Sequence, residues 1–218
     1  MSDLLLLGAG RGGYGDGGGG GGGGGGSTTY TISADNDNGR FFRNNVSIFS
    51  DPMPCPSSFN GINRNALYTI GANYDDEEMT HNWAAGYFRF QNVAIDQGAT
   101  VSSAILKPYV THVSGSGGDL LIAAIDTDDA SQPSSGANGS KTGYTTAQIT
   151  YSAITVAAPD TSPDIKTVIQ EIVDRSGWST GNDITIVIYC NSIAASGGRT
   201  AAFGRLGESK AAQLIITI

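Results

Sequence analysis

Few side chains in this sequence are equipped for chemistry, and they are scattered. Asp126, Asp128 and Asp129 follow the apolar run Leu120 to Ile125. Clustered carboxylates at a strand end are weak candidates for holding a structural cation such as calcium, and aspartates are equally ordinary turn formers. A second acidic run, Asp75-Asp-Glu-Glu78, lacks the EF-hand pattern and reads as a solvated loop. The two histidines, His81 and His112, stand in no pattern with a nucleophile, and His112 reads as a surface residue. There is no Gly-x-Ser-x-Gly elbow. The Gly-x-Gly patterns near the N-terminus have no strand and helix around them, as a dinucleotide site requires. These residues support neither catalysis nor a cofactor, and the expectation is a protein that is not an enzyme.

Cys55 and Cys190 are the two cysteines, and neither belongs to a Cys-x-x-Cys metal pair. A disulfide between them and two buried free thiols are both open readings. Sugar binding needs exposed aromatic platforms, for which Tyr74, Trp83, Tyr144 and Tyr151 are the candidates. Trp83 and Trp178 fit equally well as core or helix-packing residues.

Charge narrows the partners. The formal net charge is −8, and the basic residues form no run, which argues against nucleic acid. No apolar run is long enough to cross a membrane as a helix. The opening Met1 to Gly10 fails as a secretion signal, because Asp3 replaces the basic region and Leu4 to Leu7 are too short an apolar core.

The elements that must position these residues are mostly strands. Gly86 to Val110 reads as two strands around a tight connection. Tyr87, Arg89 and Gln91 alternate with Phe88, Phe90 and Asn92, so one face can bury aromatics while the other meets water. Asp96-Gln97-Gly98 supplies the turn, with Gly98 able to take a positive φ. Further strands are expected at Tyr30–Ala34, Phe41–Phe49, Ala66–Ile70, Leu120–Ile125, Gln148–Val156, Asp183–Tyr189, Arg199–Leu206 and Gln213–Ile218. Asp51 to Pro56 holds three prolines and is an extended loop. Ser114 to Gly118 reads as a flexible turn, and Ala130 to Gly143 as a long surface loop.

One helix is expected, over about 163–175. Ser162 fits the N-cap, Pro163 the first turn, and Asp164 the positive end of the dipole. Ile165, Val168, Ile169, Ile172 and Val173 form an apolar stripe. Gly177 is positioned for a left-handed cap after which Trp178 folds back.

Residues 1–29 read as a separate arm, and 30–218 as the globular domain. Gly17 to Gly26 is an unbroken glycine run, preceded by a glycine-rich stretch with Arg11 and Tyr14. Such a run is a flexible linker by itself. The exposed leucines Leu4, Leu5, Leu6 and Leu7 are a liability without a partner groove, so the arm reads as an anchor whose candidates are these four with Arg11 and Tyr14.

Taken in order, Tyr87-Phe-Arg-Phe90, Gly98-Ala-Thr-Val-Ser-Ser-Ala-Ile-Leu106, the stretch Ser162 to Asp174, Asn182 to Ile188 and the closing Gln213 to Ile218 resemble the DNRLRE-type jelly-roll domain. The resemblance spans roughly 66–218; the proline loop and polyglycine arm have no counterpart in it. It implies an all-β jelly-roll β-sandwich with one short capping helix. Such domains occur in secreted carbohydrate-associated proteins and in phage virion proteins, so it implies binding or assembly rather than catalysis. With the arm, the expectation is a virion structural protein: a capsid decoration (cement) protein, symmetric and oligomeric, contacting the major capsid protein or tail proteins. The alternatives are a tail or fibre component, a secreted carbohydrate-binding module acting on a glycan outside the cell, or a filament or matrix subunit.

Overall fold

The computed structural model describes residues 26–47, 53–64, 68–75, 80–114, 120–154, 160–193, 200–203 and 211–218. The arm residues Leu4 to Leu7, Arg11 and Tyr14 lie outside them, as do the side chains of Tyr74 and His81.

The described chain is an all-β sandwich with one helix. Its strands are β1 (Ser27–Thr31), β2 (Asn38–Ser47), β3 (Met53–Pro54), β4 (Gly61–Arg64), β5 (Tyr68–Asp75), β6 (Thr80–Phe90) and β7 (Ser103–Lys107). They continue as β8 (Val110–Ser114), β9 (Leu120–Ala124), β10 (Ile149–Tyr151), β11 (Ile184–Cys190), β12 (Ser192–Ile193), β13 (Thr200–Phe203) and β14 (Gln213–Thr217). The helix α1 spans Lys166–Val173. A nine-stranded sheet runs β10-β9-β11-β6-β5-β13-β8, with β2 on β6 and β4 on β2; a three-stranded sheet runs β1-β14-β7; β3 and β12 form a short ribbon. Each of these pairings is antiparallel, and the first and last of the described strands lie side by side. Because β1 begins at Ser27, the boundary expected after residue 29 falls inside a strand.

One continuous core joins the two sheets and the helix. Phe88, Phe90, Ile184, Ile186 and Ile188 of the large sheet share it with Ala104, Leu106, Leu214 and Ile216 of the small one, and with Val168, Ile169, Ile172 and Val173 of α1. Full burial of such side chains contributes about 1.5–3 kcal/mol each, which makes this cluster the main stabilising feature. β11 is buried at all seven positions, as its run of β-branched residues requires. β9 is buried on both faces, as its continuous apolar run predicts.

The hairpin expected over Gly86 to Val110 does not form. β6 lies in the large sheet and β7 in the small one. The connection is docked on other elements instead: Val93 N donates to the Asn182 carbonyl (2.9 Å), Gly98 N to Val173 (3.0 Å), and the Trp178 indole N–H to Ile95 (2.9 Å). Gly98 does take a positive φ, +71°, in the turn closed by Ala99 N to the Asp96 carbonyl (3.1 Å). Nor does β6 have a wet face here. Tyr87 is fully buried, because Phe41 stacks on it at 4.9 Å and strands pair on both sides.

The helix is shorter than expected and starts differently. Ser162 is not its N-cap. The Ser162 hydroxyl oxygen accepts from Leu106 N (2.9 Å), and Asp164 Oδ1 accepts from Ala104 N (2.9 Å) as well as Lys166 N (2.9 Å). Both residues serve the open edge of β7 before the chain turns into α1 at Ile165. The apolar stripe is buried throughout, as its spacing predicts. Gly177 does not take a left-handed φ. A side chain there would meet the Asp128 carboxylate, which Arg175 holds in place.

Candidate functional site

The charged residues gather at the end of the sandwich where β6 finishes and β11 begins. Arg89 sits in an aromatic strand and points its guanidinium at three acceptors. Nε donates to the Ala130 carbonyl (2.7 Å), Nη1 to Asp37 Oδ1 (2.7 Å), and Nη2 to Asp183 Oδ2. The carboxylates are bound on their other oxygens: Asp37 Oδ2 accepts from Gln91 Nε2 (2.8 Å) and Asp183 Oδ1 from Asn92 N (2.8 Å). The Asp37 side chain is wholly buried, so this is a closed, satisfied cluster that ties the segment before β2, the end of β6 and the start of β11 together.

A second cluster lies beside it on the loop after β9. The Arg175 guanidinium bridges Asp126 and Asp128, with Nε on Asp128 Oδ1 at 2.6 Å. The hydrogen bond to Asp128, opposed by burial and helped by Asp126, holds Arg175 above the ordinary arginine range. Asp129 Oδ1 accepts from Asp183 N (2.9 Å), and the Asp128 carbonyl accepts from Asn182 Nδ2 (2.9 Å). The three aspartates offered as candidate cation ligands are thus brought together, but the cation between two of them is Arg175 and the third caps β11. Among the described residues, no group of three or more His, Cys, Asp or Glu side chains is arranged to hold a metal ion.

Next to Asp129 is a shallow cavity of about 170 Å³ lined by Ile125, Thr127, Asp129, Ala130, Ser131 and Asn138. Its polar groups are largely engaged within the loop: Asn138 Oδ1 accepts from Ser134 N and Ser135 N, both at 2.9 Å. No aromatic ring lines it.

The aromatic candidates for a sugar platform are placed otherwise. Trp83, Tyr144 and Tyr151 are buried at 1 %, 7 % and 0 % exposure, so none offers a ring face to a glycan. Tyr144 donates its hydroxyl to the Gly139 carbonyl (2.8 Å) and packs 5.3 Å from Tyr189. Tyr151 donates to Asp160 Oδ2 (2.6 Å). Burial pushes both phenols up, and Asp160 adds to the rise at Tyr151. Trp83 lies in β6 and Tyr151 in β10, while Tyr144 follows a 3-10 turn and makes a single antiparallel bridge with Ile125.

Cys55 and Cys190 are both buried and are not joined by a disulfide. Cys55 is pushed up to about 12, chiefly by burial, with Lys141 acting against this and Cys190 adding to it. It is therefore a packing residue rather than a nucleophile at neutral pH. His112 is exposed on β8, as expected. Sequence reasoning missed the Arg89 cluster; the signal was a lone arginine flanked by Phe88 and Phe90, a position where an unpaired charge is too costly to bury.

The fold and this geometry define the class: an all-β sandwich protein whose charged clusters join its own elements. No family model matches this chain, and no curated protein matches it.

Proposed function

We propose that this chain is a non-enzymatic structural protein of a phage virion, a capsid decoration protein with a jelly-roll-type body held to a neighbouring subunit by its N-terminal arm. A tail or fibre position is the alternative within the same class. The observation that carries the reading is where the arm joins the body. The chain enters at Ser27 on the rim of the three-stranded sheet, and among the described residues nothing stands where a side chain at Gly26 would point. A glycine-rich stretch such as Leu7 to Gly26 spans on the order of 25 Å as a coil. That reach is what the proposed anchoring of Leu4 to Leu7 on a neighbouring subunit needs.

The body offers less to grip with. Among its described residues, Ile218 is the one exposed large hydrophobic residue. Four docked leucines supply on the order of 6–12 kcal/mol before association costs, and those costs are about 4–15 kcal/mol. One arm alone binds weakly, and several arms on an oligomer bind firmly. The carbohydrate alternative loses three of its four aromatic platforms to the core.

The test compares the full chain with a chain beginning at Ser27, each mixed with particles that lack this protein. Co-sedimentation of the full chain alone is expected. Equal pelleting of both, or of neither, overturns the reading.

A further inference from the structure

The two rims of the three-stranded sheet are treated oppositely. Residues of β14 with odd numbers face β7, so Ala104 and Leu106 of β7 turn their backbone groups outward. Those groups are plugged. Leu106 N and Ala104 N donate to the Ser162 hydroxyl and the Asp164 carboxylate. The carbonyls of Ala104, Leu106 and Pro108 accept from Ile165 N (2.8 Å), Ser162 N (2.9 Å) and Asp160 N (2.9 Å).

The β1 rim has no such plug. Ile32 N donates to the Ala212 carbonyl (3.1 Å) and Ile218 N to Gly26 (3.5 Å), which fixes the even-numbered residues of β1 as those facing β14. Ser27, Thr29 and Thr31 therefore point their N–H and C=O groups away from the sheet. Among the described residues, no strand pairs with that side. Four of the five β1 side chains are exposed. The strand Ser-Thr-Thr-Tyr-Thr contains none of the usual rim protections, neither proline, lysine nor an inward charge.

The geometry points to β1 as a dimerisation edge that pairs antiparallel with β1 of a second copy, Thr29 facing Thr29 across a two-fold axis. Three features select a second copy. The stretch Ser27 to Ala34 is uncharged in a protein of net charge −8, so two copies meet here without opposing carboxylates. The strand is self-complementary about Thr29: Ser27 meets Thr31, and Thr28 meets Tyr30, with Thr–Thr contacts of the kind that stabilise cross-strand pairs. The chain preceding Gly26 enters at one end of the strand, so antiparallel pairing keeps the two arms at opposite ends of the joint. The result is one continuous six-stranded sheet, β7-β14-β1 with its symmetry mate, closed by a single isologous contact. This surface does not depend on the virion reading.

Sedimentation velocity of the full chain and of Thr29→Pro tests it. The Thr29 N–H faces outward, so proline removes an intermolecular donor and leaves the β14 ladder intact. Wild type is expected to double its sedimenting mass over a micromolar series, and Thr29→Pro to stay monomeric with an unchanged tryptophan-fluorescence melt. Should Thr29→Pro fail to fold, Thr29→Lys decides, with dimerisation weakened at least tenfold by lysines facing across the axis. Wild type that remains monomeric throughout, or a folded variant that self-associates as wild type does, overturns the proposal. The chain beginning at Ser27 retains β1 and still dimerises, so failure of arm anchoring and failure of this edge are separately visible.

Discussion

Replacing Arg89 by methionine removes three hydrogen bonds at once and leaves the fully buried Asp37 carboxylate with Gln91 as its remaining bonded partner in this cluster. Methionine fills similar volume, so the loss is electrostatic rather than a cavity. Removing one partner of a buried ion pair costs about 3–5 kcal/mol, because the surviving charge is stranded away from water. That is a large share of the about 5–15 kcal/mol by which a domain is stable. With about 2–4 °C per kcal/mol, the melting temperature should fall by roughly 6–20 °C. Lysine at 89 should fall between, since one ammonium cannot match a planar fork directed at three acceptors. The assay is equilibrium urea unfolding followed by the fluorescence of Trp83 and Trp178, both buried. The decisive measurement adds Asp37→Asn to Arg89→Met. If the stranded carboxylate is the cause, the double variant recovers at least about 1 kcal/mol over the single one. A loss below about 1 kcal/mol in Arg89→Met, or additive behaviour in the double variant, refutes the reasoning.

Alkaline pH should unfold the protein from its interior. Cys55 is raised from 9.0 and Tyr87 from 10.0, each to about 12, and Tyr144, Tyr151 and Tyr189 are raised too, all chiefly by burial. In every case the unfolded chain releases its proton first, so stability is whole below about pH 9 and is lost as pH rises towards 12. Cys55 alone removes about 1.4 kcal/mol per pH unit once pH passes 9, and a melting temperature that stays level from pH 8 to 11 contradicts this. Gly139→Ala should cost about 1–3 kcal/mol, because the new methyl overlaps the buried Phe41 ring that stacks on Tyr87; a thermal melt within a degree of wild type would show that the ring can move aside.

The sequence by itself determined the local elements. Alternation and β-branched runs marked β9, β11 and β14, the apolar stripe from Ile165 to Val173 marked the buried face of α1, and Asp96-Gln97-Gly98 marked a turn with a positive φ at glycine. These are properties of neighbouring residues, so a one-dimensional reading reaches them. Tertiary structure decided what those elements meet. Gly86 to Val110 looked like a hairpin because adjacent strands usually pair, yet the Trp178 indole and the end of α1 hold its connection and send β7 to the other sheet. Ser162 and Asp164 carried the chemistry of a helix start, and the open rim of β7 claimed Ser162 altogether and shares Asp164 with the first N–H of α1. Asp126 and Asp128 had the makings of a cation site, and Arg175, 47 residues beyond Asp128, filled it. Hydrogen-bond donors and acceptors are satisfied by whatever lies nearest in space, and the chain order does not record that distance.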